Sequence, residues 1–262
     1  MRARATRAVR AAVAAAVVVG LVGCGDGAAS TPADGAAVTG TVMVFAAASL
    51  TESFTRIGRD FEADHPGTSV VFNFAGSSAL AAQIAQGAPA DVFAAAAPRS
   101  MATVTEAGDA DGEPAVFARN QLLIAVTEGN PKGVTGLADL TRPGLTVALC
   151  AEQVPCGAAA RTALDAAAVR LTPVTLEQDV RGALAKVKLG EVDAAVVYRT
   201  DAKAAEAEVT AVEFPESAGA VNDYPIVVVA HAPNPAAARA FAAHVRGEQG
   251  RAVLTEAGFQ TP

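Results

Sequence analysis

The chain has 262 residues, 52% hydrophobic and 18% charged, too apolar and too sparsely charged for a disordered protein. A formal charge of −7, 5% aromatic residues and no tryptophan argue against nucleic acid as a partner. Phosphate neutralisation needs clustered Lys and Arg, and single strands need stacking platforms. What remains is a globular α/β protein of one large domain or two modest ones.

Arg2, Arg4, Arg7 and Arg10 precede an uncharged run from Ala11 to Gly23, which is too short to span a bilayer. A basic segment followed by a short apolar one reads as an export signal. The run ends Leu21-Val22-Gly23-Cys24, which resembles a bacterial lipobox, with Cys24 as the lipidated first residue of the mature chain. The alternative is an ordinary signal with an incidental cysteine. Removing residues 1–23 takes away four arginines and no acid, so the charge falls from −7 to −11. Residues 24–40 are rich in Gly, Ala, Ser, Thr, Asp and Pro and read as a flexible tether to the membrane. Cys150 and Cys156 remain. In an exported, oxidising setting they suit a disulfide, with two free thiols or a metal pair as alternatives.

From residue 41 short apolar runs alternate with helical patterns. Val42 to Ala47 is a strand. Ser49 to Asp64 is a helix with Leu50, Phe54, Ile57 and Phe61 on one face. Ser49-Leu50-Thr51-Glu52 fits a capping box with Ser49 at the N-cap. Val70, Phe72 and Phe74 alternate as a strand, and Ser77-Ser78 opens a helix that Gly87 and Pro89 stop. Asp91 to Ala95 is a strand and Pro98 opens a helix. Gln121–Val126 and Gly144–Leu149 are strands, Gly157–Ala168 and Asp179–Leu189 are helices, and Val192–Tyr198, Val209–Phe214 and Ile226–Ala230 are strands. Asn234-Pro235 starts a last helix, through His244. Such alternation implies mostly parallel sheets flanked by helices, with ligands bound beyond the strand C-termini.

The strand-to-helix joints carry Ala47-Ala48-Ser49, Gly76-Ser77-Ser78, Val154-Pro155-Cys156-Gly157 and Gln178-Asp179-Val180. Small and hydroxylated residues dominate them. Each offers unpaired N–H groups and a partially positive helix end, so several converging on one cleft would bind an anion without a formal counter-charge. Taken singly, a Ser in such a joint is an ordinary helix cap. Catalysis is poorly supported. His65, His231 and His244 lie in no motif, and Ser49 and Ser77 lack both an evident base and a Gly-x-Ser-x-Gly elbow. No cofactor motif is present, and Asp91 and Asp193 read as structural. An extracytoplasmic hydrolase using Ser49 or Ser77 is the rival from another class.

The motif order resembles the periplasmic molybdate-binding proteins of ABC importers, from Thr41 to Phe259. The matching segments are Val44–Leu50, Phe74–Leu80, Gly87–Phe93, Val154–Gly157, Asp179–Leu184, Val196–Ala202 and Tyr224-Pro225. The resemblance implies a two-lobed periplasmic binding protein (type II) fold. Lobe I would be 41–121 with 225–262, and lobe II 122–224, with crossings near Asn120–Leu123 and Asp223–Ile226. It implies an extracytoplasmic monomer that captures molybdate or tungstate, held on the membrane by Cys24, and serves a permease with a cytoplasmic ATPase. Sulfate or another small oxyanion is the nearest alternative. By motif, Ser49, Ser77 and Tyr198 would give hydroxyls, and Ser49, Ser77, Cys156 and Val180 backbone N–H groups. Molybdenum would thus be held as molybdate, with no direct metal ligand. The family usually has Ala or another small residue at position 156, which a contact through N–H alone tolerates.

Overall fold

Val42, Val44 and Ala46 are buried on one side of a strand, and Met43 and Phe45 pack on the other, the period of two that a sheet covered on both faces requires. The computed structural model describes residues 38–262. Cys24, the export signal and most of the proposed tether lie outside the described residues.

The chain order begins with β1 (Gly40–Ala47), a 3-10 turn (Ala48–Leu50), α1 (Thr51–Asp64), β2 (Thr68–Ala75) and α2 (Ser77–Ala85). It continues through β3 (Val92–Ala94), α3 (Pro98–Glu106), β4 (Ala110–Asn120) and β5 (Leu122–Thr127). Then come β6 (Val147–Cys150), α4 (Pro155–Ala166), β7 (Thr175–Glu177), α5 (Val180–Lys188), β8 (Ala194–Tyr198) and α6 (Arg199–Ala204). The chain closes with β9 (Val209–Val212), β10 (Asn222–Val229), α7 (Pro235–Arg246) and α8 (Glu248–Ala257).

Two five-stranded sheets form, with orders β2-β1-β3-β10-β4 and β7-β6-β8-β5-β9. The orders are the same design repeated. In each, one strand runs against the other four: β10 in the first sheet and β5 in the second. Each reversed strand is the one that has just crossed from the other sheet. The crossings fall between Asn120 and Leu122 and just before Asn222. Asn222, Asp223 and Tyr224 pair with Asn120, Arg119 and Ala118, so they belong to the first sheet. The lobe II boundary expected from the sequence, at 224, therefore lies three residues too late.

Three apolar clusters fill the layers. One lies between the first sheet and α1, α7 and α8, around Phe54, Phe61 and Phe241. Another lies on the opposite face, around Phe93, Leu80 and Met101. The third surrounds the second sheet, around Ile124, Val197 and Leu184. Asp91 and Asp193 are structural, as their positions suggested. Asp91 accepts the N–H of Met43 (2.7 Å) and of Asn234 (2.6 Å). Asp193 accepts the N–H and hydroxyl of Thr146, each at 2.8 Å.

Candidate functional site

The C-terminal edges of the two sheets face each other, and helix N-termini open onto the gap. The 3-10 turn that runs into α1 follows β1, and α2 follows β2. From the other side, α4 follows β6 and α5 follows β7. The first N–H groups of a helix have no partner within it and carry partial positive charge. Pro155 occupies the first position of α4 and has no N–H, so Cys156 presents the first donor there.

Ser49, Ser77, Cys156, Val180 and Tyr198 line one cavity, and each is at most 5% exposed. The cavity holds about 20 Å³, against 300 to 350 Å³ for four surface grooves. That admits one small guest. No Lys, Arg or His lines it. Its one carboxylate, Asp179, is turned to its own helix, accepting the N–H of Gly182 at 2.9 Å.

The hydroxyls are poised to donate. Ser77 Oγ accepts the N–H of Ala96 at 2.9 Å, which leaves the Ser77 proton free for another acceptor. Ser49 Oγ lies 2.8 Å from the Tyr224 hydroxyl. The Tyr198 hydroxyl is buried and makes no well-formed hydrogen bond to the protein, with the Tyr224 and Asn222 side chains nearby, and burial pushes its pKa well above the ordinary value, so it stays protonated. A buried donor without an acceptor is unfavourable unless a ligand completes it.

One local expectation fails. Ser49 does not cap α1: the chain first makes the 3-10 turn, α1 begins at Thr51, and its N-cap position, Leu50, makes no side-chain cap bond. Glu52, the other half of the expected box, pairs with Arg181 of α5 instead. That pair bridges the two sheets' layers. So do the bonds from Ser78 Oγ (2.7 Å) and Arg99 Nη2 (2.8 Å) to the Gln153 carbonyl.

Cys150 and Cys156 are joined as a disulfide, with Cα atoms 5.7 Å apart, so neither free thiols nor a metal pair remain. The bridge ties the end of β6 to the first donor of α4. Local patterns did not reveal the supports behind the site: Tyr224 behind Ser49, Asn120 behind Tyr224, and Ala96 behind Ser77. Only the Tyr224-Pro225 motif hinted at the first. For the hydrolase alternative, neither serine of the cavity has a histidine beside it among the lining residues, and the one carboxylate there, Asp179, accepts the N–H of Gly182.

Residues 42–260 match the family described as bacterial extracellular solute-binding protein. The molybdate-binding protein ModA of Mycobacterium tuberculosis H37Rv is 47% identical over 251 residues, covering 95% of this chain and 96% of the relative. ModA of Escherichia coli K12 is 33% identical, covering 84% and 89%. Among solved structures, the periplasmic molybdate-binding protein of Azotobacter vinelandii matches with a TM-score of 0.73 at 21% identity. It covers 84% of this chain and 99% of that one, and the likeness bears on fold alone. A family match over nearly all the described residues, and a relative at 47% identity over 95% of the chain, make this chain a member of the bacterial extracellular solute-binding proteins.

Proposed function

We propose that this protein captures molybdate, and tungstate with it, outside the cytoplasm and delivers the anion to the membrane permease of an ABC importer. It is a binding protein and needs no cofactor. The observation that carries the reading is a buried cavity of uncharged donors, in a chain 47% identical to a molybdate-binding protein. A tetrahedral dianion offers acceptor oxygens only. The proposed donors are the hydroxyls of Ser49, Ser77 and Tyr198 and the N–H groups of Ser49, Ser77, Cys156 and Val180. Hydrogen phosphate carries a proton that seeks an acceptor, and a donor-only cage discourages it. Sulfate carries none, so its rejection falls to size.

We assign lobe I to 41–121 with 222–262 and lobe II to 122–221, moving the return boundary from 225 to the start of β10. Closure of the lobes would bury the anion and form the surface that the permease meets. We further propose that Cys24 carries a lipid and that the protein works as a monomer. No helix among the described residues is long and apolar enough to cross a membrane.

Calorimetric titration with molybdate, tungstate, sulfate and phosphate tests the function. Molybdate and tungstate should bind, with sulfate and phosphate far weaker. Sulfate binding more tightly than molybdate would reject the reading. A Cys24→Ala chain should leave the membrane fraction.

A further inference from the structure

Behind Ser49 stands a hydrogen-bonded chain that never touches the cavity. Asn120 ends β4, at the first crossing. Its Oδ1 accepts the N–H of Gln121 at 3.0 Å, which fixes the amide so that Nδ2 faces the other way. Nδ2 donates to Thr200 Oγ1 of α6 at 2.8 Å and to the Tyr224 hydroxyl at 3.4 Å. Tyr224 lies near the start of β10, just past the second crossing, fully buried and outside the cavity wall. Its oxygen accepts a long hydrogen bond from Asn120 at 3.4 Å and lies 2.8 Å from Ser49 Oγ, an arrangement in which Tyr224 can donate to Ser49. With Tyr224 as the donor of that pair, Ser49 accepts on that side and its own proton is left for the cavity.

We propose that Tyr224 and Asn120 are positioning residues for the anion. They turn the Ser49 proton toward the cavity and tie that orientation to the two crossings between the lobes. The proposal rests on Ser49 being an anion donor. The donor chain from Asn120 through Tyr224 to Ser49 lies within the first lobe, and the same Asn120 amide reaches across the crossing to Thr200 of the second. Water has no access to replace Tyr224, because the ring is wholly buried. Without the Tyr224 hydroxyl, Ser49 would be free to spend its proton on a backbone carbonyl, as serines in helical turns do.

A double-mutant cycle on the full chain in detergent tests this, with molybdate as the probe and calorimetry as the readout. Tyr224→Phe should raise Kd about tenfold, the scale of one charge-assisted hydrogen bond. In a Ser49→Ala background the same change should matter less than about twofold, because the hydroxyl it orients is gone. Asn120→Ala should show a smaller loss with the same dependence on Ser49. It keeps the test alive if Tyr224→Phe fails to fold. If Ser49→Ala binds molybdate like the wild type, Ser49 is no ligand and the proposal falls with that assignment. If Ser49→Ala weakens binding but Tyr224→Phe and Asn120→Ala do not, the site stands and the positioning role falls. Equal losses in both backgrounds would make Tyr224 a purely structural residue, which also overturns it.

Discussion

Gly76 and Gln178 meet across the cleft so closely that a Cβ on residue 76 would sit 2.3 Å from the Gln178 carbonyl oxygen. Gly76 has an ordinary backbone, φ −59° and ψ 131°, so any residue could adopt it. Glycine is needed there for space, not for conformation. One residue precedes α2 in the first lobe, and the other precedes α5 in the second. Their contact limits how far the cleft can shut.

Gly76→Ala should therefore hold the lobes apart. The expected result is at least about tenfold weaker molybdate binding, since buried donors must lie within a few tenths of an ångström of their acceptors. The ligand-free melting temperature should barely move. Calorimetry and small-angle scattering check this together, the second through loss of ligand-induced contraction. Wild-type affinity would mean that the lobes meet elsewhere.

Tyr198→Phe removes the one cavity hydroxyl that makes no well-formed hydrogen bond to the protein. Affinity for molybdate should fall by about 1–3 kcal/mol, because one oxygen of a buried charged ligand is left without a donor. The variant should be at least as stable as the wild type when empty. An unchanged dissociation constant would remove Tyr198 from the site.

Molybdate affinity should change less than about twofold between low and high salt, since fixed dipoles in a buried cavity are screened little. No Lys or Arg lines the cavity to make the binding salt-sensitive. Titrations across a sodium chloride series check this, and a steep dependence would point to a mobile cation at the site.

Asp201 predicts a pH effect on stability. Burial, reinforced by the charge of Glu52 and partly offset by Arg181, pushes its carboxyl from 3.8 up to about 8. Between those values the folded chain keeps a proton that the unfolded chain has released. Rising pH therefore favours unfolding through that window, by at most about 1.4 kcal/mol per unit. Asp201→Asn removes the slope. Its melting temperature should pull ahead of the wild type from pH 5 to pH 8, and parallel curves would count against the assignment.

Replacing Cys150 and Cys156 together by Ala should lower stability by about 2 kcal/mol, the loop-entropy scale for so short a bridge. Because the bridge holds the first donor of α4, molybdate affinity should fall as well. Urea denaturation and calorimetry on the same variant separate the two effects.

Strongly patterned elements were legible in the sequence: β1, α1, β2, β5 and α5 follow their apolar periods. Others were not. β4 opens Ala110-Asp111-Gly112-Glu113-Pro114, which carries no strand alternation. It forms because β10 pairs with it through two register shifts, the second spanning Pro114. β7 has three residues and α6 six, too short to show a period. α8 follows α7 after Gly247 alone, so a single helix ending was all the pattern offered. The cavity residues were legible as joints, yet Ser49 was there for a different reason from the one its motif gave. Its hydroxyl partner is 175 positions away, and no local pattern reports such a bond.

The central place of β10 in the first sheet governs the order in which the molecule can mature. This strand is the last in the chain, yet it sits between β3 and β4. As the polypeptide is delivered from its N-terminus, β1, β2 and β3 emerge early but expose an unmatched apolar flank at Val92-Phe93-Ala94. All five strands of the other sheet arrive before β10, between Leu122 and Val212. The half that is made second is thus the half that can finish first, and the earlier half waits for residues 222–262 to seal it.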